Sequence, residues 1–168
     1  ESSETDKLTD YGYKTNRTGF SFGTNFEYLD DFKLGVGSSN FYEKIETDSS
    51  ASTNMQKQKG NYWDSFANFK FDYDKRNQKF QTSDGFRSTY YLNMPIVSDT
   101  NTLKNTYDYK YYTELYEENI TTLSLYLGAA NSLNNKDVKL SERLNVPSSR
   151  LRSFEYGKIG PKDGSDFI

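Results

Sequence analysis

The side chains of this sequence best suited to chemistry are carboxylates. Asp64, Asp72, Asp108 and Glu114 alternate with apolar positions, so on strands they project to one side of a sheet. A facing pair would suit glycoside hydrolysis, one carboxyl as acid and the other as base or nucleophile. Lys70 and Lys110 share that side, however. Mixed charge on one sheet face is the ordinary mark of wall residues paired across strands in a hydrated interior. The sequence contains no histidine and no cysteine. The usual general base, Ser-His and Cys-His pairs, the commonest zinc ligand and every disulfide are therefore absent. "GVGSSN" at Gly35–Asn40 lacks the Lys-Ser/Thr and the following helix of a phosphate loop. Its glycines mark a bend or a close approach on a strand. "DSSAS" and "DTNTLKN" lack the glycine and closing glutamate of a calcium loop. These residues describe a chain that is not an enzyme and takes no cofactor or metal.

The elements that would position the charges are strands. Aliphatic, aromatic and Met residues make up only 33% of the 168 residues, yet 17% of the chain is Phe, Tyr or Trp, so the apolar matter is mostly rings, which favour strands. The net charge of −3, from 21 basic and 24 acidic residues mixed along the chain, argues against nucleic acid as a partner. The N-terminus "ESSETDKLTD" has no starting Met, basic region or apolar core of a signal peptide, and reads as an excerpt or a processed product. No run approaches the ~18 apolar residues of a membrane helix.

Six runs alternate with a period of two. Phe20, Phe22, Thr24, Phe26 and Tyr28 oppose Gly19, Ser21, Gly23, Asn25 and Glu27; Phe32, Leu34 and Val36 oppose Lys33, Gly35 and Gly37. Trp63, Ala67, Phe69, Phe71 and Tyr73 oppose Asp64, Asn68, Lys70 and Asp72; Phe86, Tyr90, Leu92, Met94 and Ile96 oppose Arg87, Thr89 and Asn93. Tyr107, Tyr109, Tyr111 and Leu115 oppose Asp108, Lys110 and Glu114; Leu123, Leu125, Leu127 and Ala129 oppose Thr122, Ser124, Tyr126 and Gly128. The pattern predicts strands near 18–29, 32–43, 62–74, 86–97, 106–117 and 121–131, with a long loop over 132–168. Runs of about ten residues exceed the ~5–6 of a globular strand and match the ~9–11 of a strand that crosses a bilayer. "LDD" (29–31) and "EEN" (117–119) are tight, "KRNQKFQTSDG" and "VSDTNTLKN" are intermediate, and 46–60 and 132–168 are long. Short and long links thus roughly alternate, as the two ends of an outer-membrane barrel do. The competing fold is a soluble β-sandwich that binds a ligand with its Tyr residues and Trp63. Mid-strand charge on one face and aromatics at the strand ends of the other favour the barrel.

Three segments then carry a likeness. "YKTNRTGFSFGTNFEYLDDFKLGVGSSNFYEKI", "DGFRSTYYLNMPI" and "LRSFEYGKIGPKDG", in this order and spacing, resemble the barrel of the outer-membrane assembly factor family BamA, within the superfamily of barrel insertases and two-partner secretion pores. The resemblance runs from about Tyr13 to the end. The family motif Val-Arg-Gly-Phe, followed by Gly-Pro, is matched by Leu151, Arg152, Ser153 and Phe154, then Gly160 and Pro161. Ser153 departs from the family glycine, and carries some strain if that position needs positive φ.

The resemblance implies an all-β, antiparallel up-and-down transmembrane barrel segment, in which the whole of 1–168 is a partial outer-membrane β-barrel domain. It implies a Gram-negative outer-membrane location, with a long external loop folded back into the lumen. Function would be the folding and insertion of other barrels, or, as the alternative, transport through a related secretion pore. Partners would be outer-membrane lipid, unfolded outer-membrane clients and accessory lipoproteins. In that frame Arg152 pairs with an acidic wall residue on later strands, a role suited to its rigid fork of donors.

Overall fold

The alternation of large apolar and small polar side chains becomes two faces of one sheet in the computed structural model, which describes residues 2–7, 12–117, 119–146, 150, 153 and 166–167. The strands are β1 (Ser2–Lys7), β2 (Tyr13–Leu29), β3 (Phe32–Thr47), β4 (Gly60–Asp74), β5 (Gly85–Ser98), β6 (Thr102–Tyr116), β7 (Asn119–Ser132) and the brief β8 (Asp166–Phe167). A single helical turn, α1 (Thr53–Gln56), lies between β3 and β4, and a 3-10 turn covers Leu140–Glu142. All eight strands form one antiparallel sheet in sequence order.

Register fixes the faces, because directly opposed residues share one. Phe22↔Ser38↔Ala67↔Met94 and Phe26↔Leu34↔Phe71↔Tyr90↔Tyr107↔Leu127 run across the apolar face. Glu27↔Lys33↔Asp72↔Thr89↔Asp108↔Tyr126 runs across the polar face. The apolar face is uncovered: Phe22 is 66% exposed and Leu123 64%. Towards the 30–31 turn its rings form a cross-strand chain, Phe32–Phe71 at 6.5 Å, Phe71–Tyr90 at 6.1 Å, Tyr73–Phe86 at 5.6 Å and Phe86–Tyr109 at 5.9 Å. These offset and edge-on contacts add to what area burial alone would give. Phe20 to Tyr28 spans roughly 26 Å of strand at ~3.3 Å per residue, or ~20 Å of height at a barrel tilt of ~40°, close to the ~25 Å apolar band of such barrels.

The structure departs from the periodicity in four places. First, β1 exists, and β2 and β3 run on past the apolar band as a ladder between Tyr13↔Thr47 and Thr18↔Tyr42. Ser, Thr, Glu and Lys dominate there, so backbone pairing holds strands that show no two-residue signal. Second, β5 passes through Pro95 by a bulge: Phe66 opposes Pro95 and Ser65 opposes Val97, leaving Ile96 without a partner. Proline has no N–H for the ladder, and a bulge absorbs the gap. Third, link length does not sort by end. The tip 99–101 is short although it lies with the long links, because β5 and β6 extend into it. Residues 75–84 are long although they lie with the tight turns. That link is bonded to itself: the Asn77 side chain accepts from the N–H of Gln78, Ser83 and Asp84, and Thr82 Oγ1 donates to the Gln78 carbonyl. Gly85 closes it at φ 100°, where an added Cβ would stand 2.2 Å from the Lys75 carbonyl oxygen. Fourth, the 46–60 link is not featureless. β3 continues to Thr47, Ser52 caps α1 from its side chain, and Ala51 is buried against Gly12.

Arginine at Phe22 or Leu125 should lower the folding free energy in lipid by roughly 2–4 kcal/mol, as a midplane charge facing lipid does. Arginine at the neighbouring Ser21 or Ser124 should cost much less. Urea titration of the full-length variants in liposomes reads the difference, and equal costs at both pairs would contradict the assignment of faces.

Candidate functional site

The polar face is where ionisable side chains gather. Asp72 on β4 accepts a two-pronged bond from Arg87 on β5, Nε to Oδ1 at 2.9 Å and Nη2 to Oδ2 at 2.7 Å. Thr89 Oγ1 donates to Asp72 Oδ1 at 3.1 Å, and Lys70 Nζ stands 3.4 Å from Oδ2. Planar fork-to-fork pairing of this kind is the stronger class of ionic hydrogen bond. Arg76 grips Asp74 in the same way, with both bonds at 2.7 Å. Asp72, Asp74, Arg76 and Arg87, with Glu27 and Lys33, line a cleft of about 410 Å³ at the tight-turn end. Its charges are balanced and largely paired within the wall.

The opposite end holds a denser cluster. Glu43 on β3 and Asp64 on β4 are diagonal neighbours, since Phe41 opposes Asp64 and Glu43 opposes Tyr62. Both are 1% exposed, and so is Lys139, which reaches them from the segment after β7. Lys139 Nζ lies 2.6 Å from Glu43 Oε2, is bonded to Asp64 Oδ2, and stands 5.1 Å from the centre of the Tyr62 ring. Ser141 Oγ donates to Glu43 Oε2 at 2.8 Å. Ser98, opposite Asp64 on β5, donates to Asp64 Oδ1 and accepts from the N–H of Thr100 and Asn101, which ties in the β5–β6 tip. Burial acts to lower the Lys139 ammonium, but the carboxylates of Glu43 and Asp64 act against it and prevail, so it is held above its ordinary value of 10.5.

The same segment reaches further. Arg17 on β2 donates to Glu142 Oε1 at 3.2 Å, and its guanidinium lies 3.8 Å from the centre of the Phe41 ring. Gly19 makes room for that ring: an added Cβ would meet Phe41 Cδ1 at 2.6 Å and the Asn40 carbonyl oxygen at 2.1 Å. Val138 and Leu144 close on Ala130 of β7 as a small buried cluster. Arg143 Nε donates to the Val138 carbonyl at 3.2 Å. The chain then returns to β6, where Arg150 bonds Asp108 with its guanidinium 4.9 Å from the centre of the Tyr126 ring.

The carboxylates singled out in the sequence therefore do not assemble as an acid–base pair. Asp64 holds Lys139, Asp72 holds Arg87 and Asp108 holds Arg150, while Glu114 lies exposed towards the far end of β6. Of the loop motif, Ser153 is an exposed turn residue, and Leu151, Arg152, Phe154, Gly160 and Pro161 lie outside the described residues.

A model of the Omp85 superfamily domain matches residues 2–168. The chain belongs to the Omp85 superfamily. No curated protein matches it. Omp85 proteins are outer-membrane β-barrels that act as insertases or translocation pores rather than as classical enzymes. The sheet is thus a segment of an Omp85 barrel wall, its apolar face towards lipid and its polar face towards the lumen, which sets the soluble sandwich aside. No helix among the described residues is long and apolar enough to cross a membrane.

Sequence reasoning missed Lys139, Glu43, Arg17, Glu142 and Arg150. Within the Omp85 frame one signal was available. Val138 and Leu144 are isolated apolar residues in a polar stretch that also carries Lys139 and Glu142, the composition of a segment that seats on a polar wall.

Because Lys139 is raised in the docked state, its contribution is fully present below the unfolded value of ~10.4 and is lost only as pH rises through the docked value. Protease protection of 133–146 should therefore stay level from neutral pH to about 10 and fall above it. A decline between pH 7 and 9 would contradict this ordering. Gly19→Val should displace Phe41 and the Arg17 stack, at a cost of roughly 1–3 kcal/mol in urea titration, as overpacking does; an unchanged midpoint would mean that the wall yields there freely.

Proposed function

We propose that this chain is barrel wall of a BamA-type assembly factor, which folds and inserts other β-barrels into the outer membrane of a Gram-negative bacterium. The observation that carries the reading is the course of the connection after β7. It turns into the lumen, docks Lys139, and meets the wall again through Arg150 and Asp108, one residue before the motif of Leu151, Arg152, Ser153 and Phe154 begins. An inward loop bearing that motif, with Gly160 and Pro161 behind it, is the feature in which the sequence resembles the assembly factors. In this reading Arg152 pairs with an acidic wall residue on later strands, and Ser153 takes the place of the family glycine. The work is non-covalent and uses no nucleotide. The partners are outer-membrane lipid, unfolded barrel clients and accessory lipoproteins.

The second reading is a two-partner secretion or translocation pore, which the same superfamily membership supports. Full-length protein in liposomes separates the two. With a urea-denatured outer-membrane protein added, an insertase raises the yield of heat-modifiable folded client above that of empty liposomes. Arg152→Ala should remove most of that gain and Arg152→Lys less, because lysine keeps the charge but loses the planar fork. Steady ion conductance with no gain in folded client would favour the pore.

A further inference from the structure

We propose that residues 133–146 form a releasable strap across the long-loop mouth of the lumen, with the Lys139 ammonium as its latch. The proposal rests on the barrel placement of the sheet and not on the insertase reading.

Three features of the structure point to it. The strap reaches from Ala130 on β7 to Arg17 on β2, so it crosses the inner wall and not merely one hairpin. Among the described residues it adds no strand to the sheet. Its backbone bond to the wall is at its root, Leu133 N–H to the Asn101 carbonyl at 3.0 Å. The ladders of β2 to β7 pair these strands with one another, β5 with β6 as far as Asn93↔Lys104, and none uses a strap residue, so the strap can leave without unzipping a strand. What holds it is a small apolar contact and a set of charges. Val138 and Leu144 supply the contact. Lys139 with Glu43 and Asp64, Arg17 with Glu142, and Ser141 with Glu43 supply the rest.

Charge is what makes the strap two-state. Removing one member of a buried ion pair leaves the other uncompensated, which is strongly unfavourable. Undocking the whole strap does not do this. Lys139 returns to water, and Glu43 and Asp64 face a hydrated lumen. In the docked state each carboxylate touches Lys139 and a serine hydroxyl, and in the undocked state each faces water, whereas a half-docked state offers neither. A segment built in this way is either seated or released.

The test uses full-length protein in its membrane, with a reporter at Val138→Cys. This side chain is fully buried under the docked strap, and residues 1–168 contain no other thiol; any cysteine elsewhere in the full-length protein is replaced by serine. Leu133→Cys, 60% exposed at the strap root, serves as the open reference. With Lys139 present, an impermeant maleimide should label Val138→Cys far more slowly than Leu133→Cys. Adding Lys139→Ala should speed labelling roughly 100-fold or more, the size expected when a buried pair loses a partner. Replacing all three groups, Lys139→Met with Glu43→Gln and Asp64→Asn, should bring the rate back to within about tenfold of the parent, because the neutral set leaves no charge behind. Throughout, the barrel should keep its heat-modifiable gel mobility. Three results would overturn the proposal: fast labelling in the parent, no change in Lys139→Ala, or loss of the folded barrel in Lys139→Ala, which would make the strap part of the wall.

Discussion

Backbone hydrogen bonding is the constraint from which the rest of this structure follows. In hydrocarbon an unpaired N–H or C=O has no water to turn to, so strands that face lipid must pair with strands on both sides. The simplest way to satisfy this along one chain is to lay each strand beside its predecessor, and the observed order β1 to β8 does so without a crossover. Once pairing is fixed, the two-residue period sorts side chains without further choice. Most rings and aliphatic groups meet lipid, and the charges between them along each strand are turned inward. The polar face is therefore crowded with ionisable groups because the outer face excludes them, before any function is asked of them.

Crowding is resolved in two ways. Towards the tight turns, cations and anions of adjacent strands pair within the wall, as Arg87 does with Asp72. Such pairs follow from register alone. At the other end Glu43 and Asp64 are both acidic and adjacent, and Arg17, the wall cation opposite Glu43, turns its guanidinium to Glu142 of the loop. The cation that the two share comes from outside the sheet, from Lys139. The inner wall is thus self-sufficient over one half and incomplete over the other, and the loop segment is the complement of the incomplete half.

This division explains what could be read from the sequence. Phe20, Phe22, Phe26 and Tyr28 announce a strand because lipid demands a mostly apolar row, here interrupted only by Thr24. The same demand makes the faces and the up-and-down order legible. Where lipid ends, the demand ends: Ser2–Lys7 and Tyr13–Thr18 are strands held by backbone pairing and a few polar contacts such as Lys14 with Glu4, and no apolar row marks them. Pro95 was a visible clue to the bulge that displaces Ile96, yet the displacement depends on the partner strand. The cluster around Lys139 was the least legible part. Its members come from β3, β4 and the loop, and no local pattern links positions so far apart in the chain.

Those distances bear on the order in which the molecule is built. Each ladder joins strands that are neighbours in sequence, so closing it confines only a hairpin's length of chain. Lys139 and Asp64 are 75 residues apart, Ser141 and Glu43 are 98 apart, and Arg17 and Glu142 are 125 apart. Contacts of such high order gain nothing until the intervening chain is already in place. The wall zips by local steps, and the loop finds its seat only on a wall that is already standing. Its docking is therefore the last event of this part of the chain, and a seated loop is evidence that the strands from β2 to β7 have found their register.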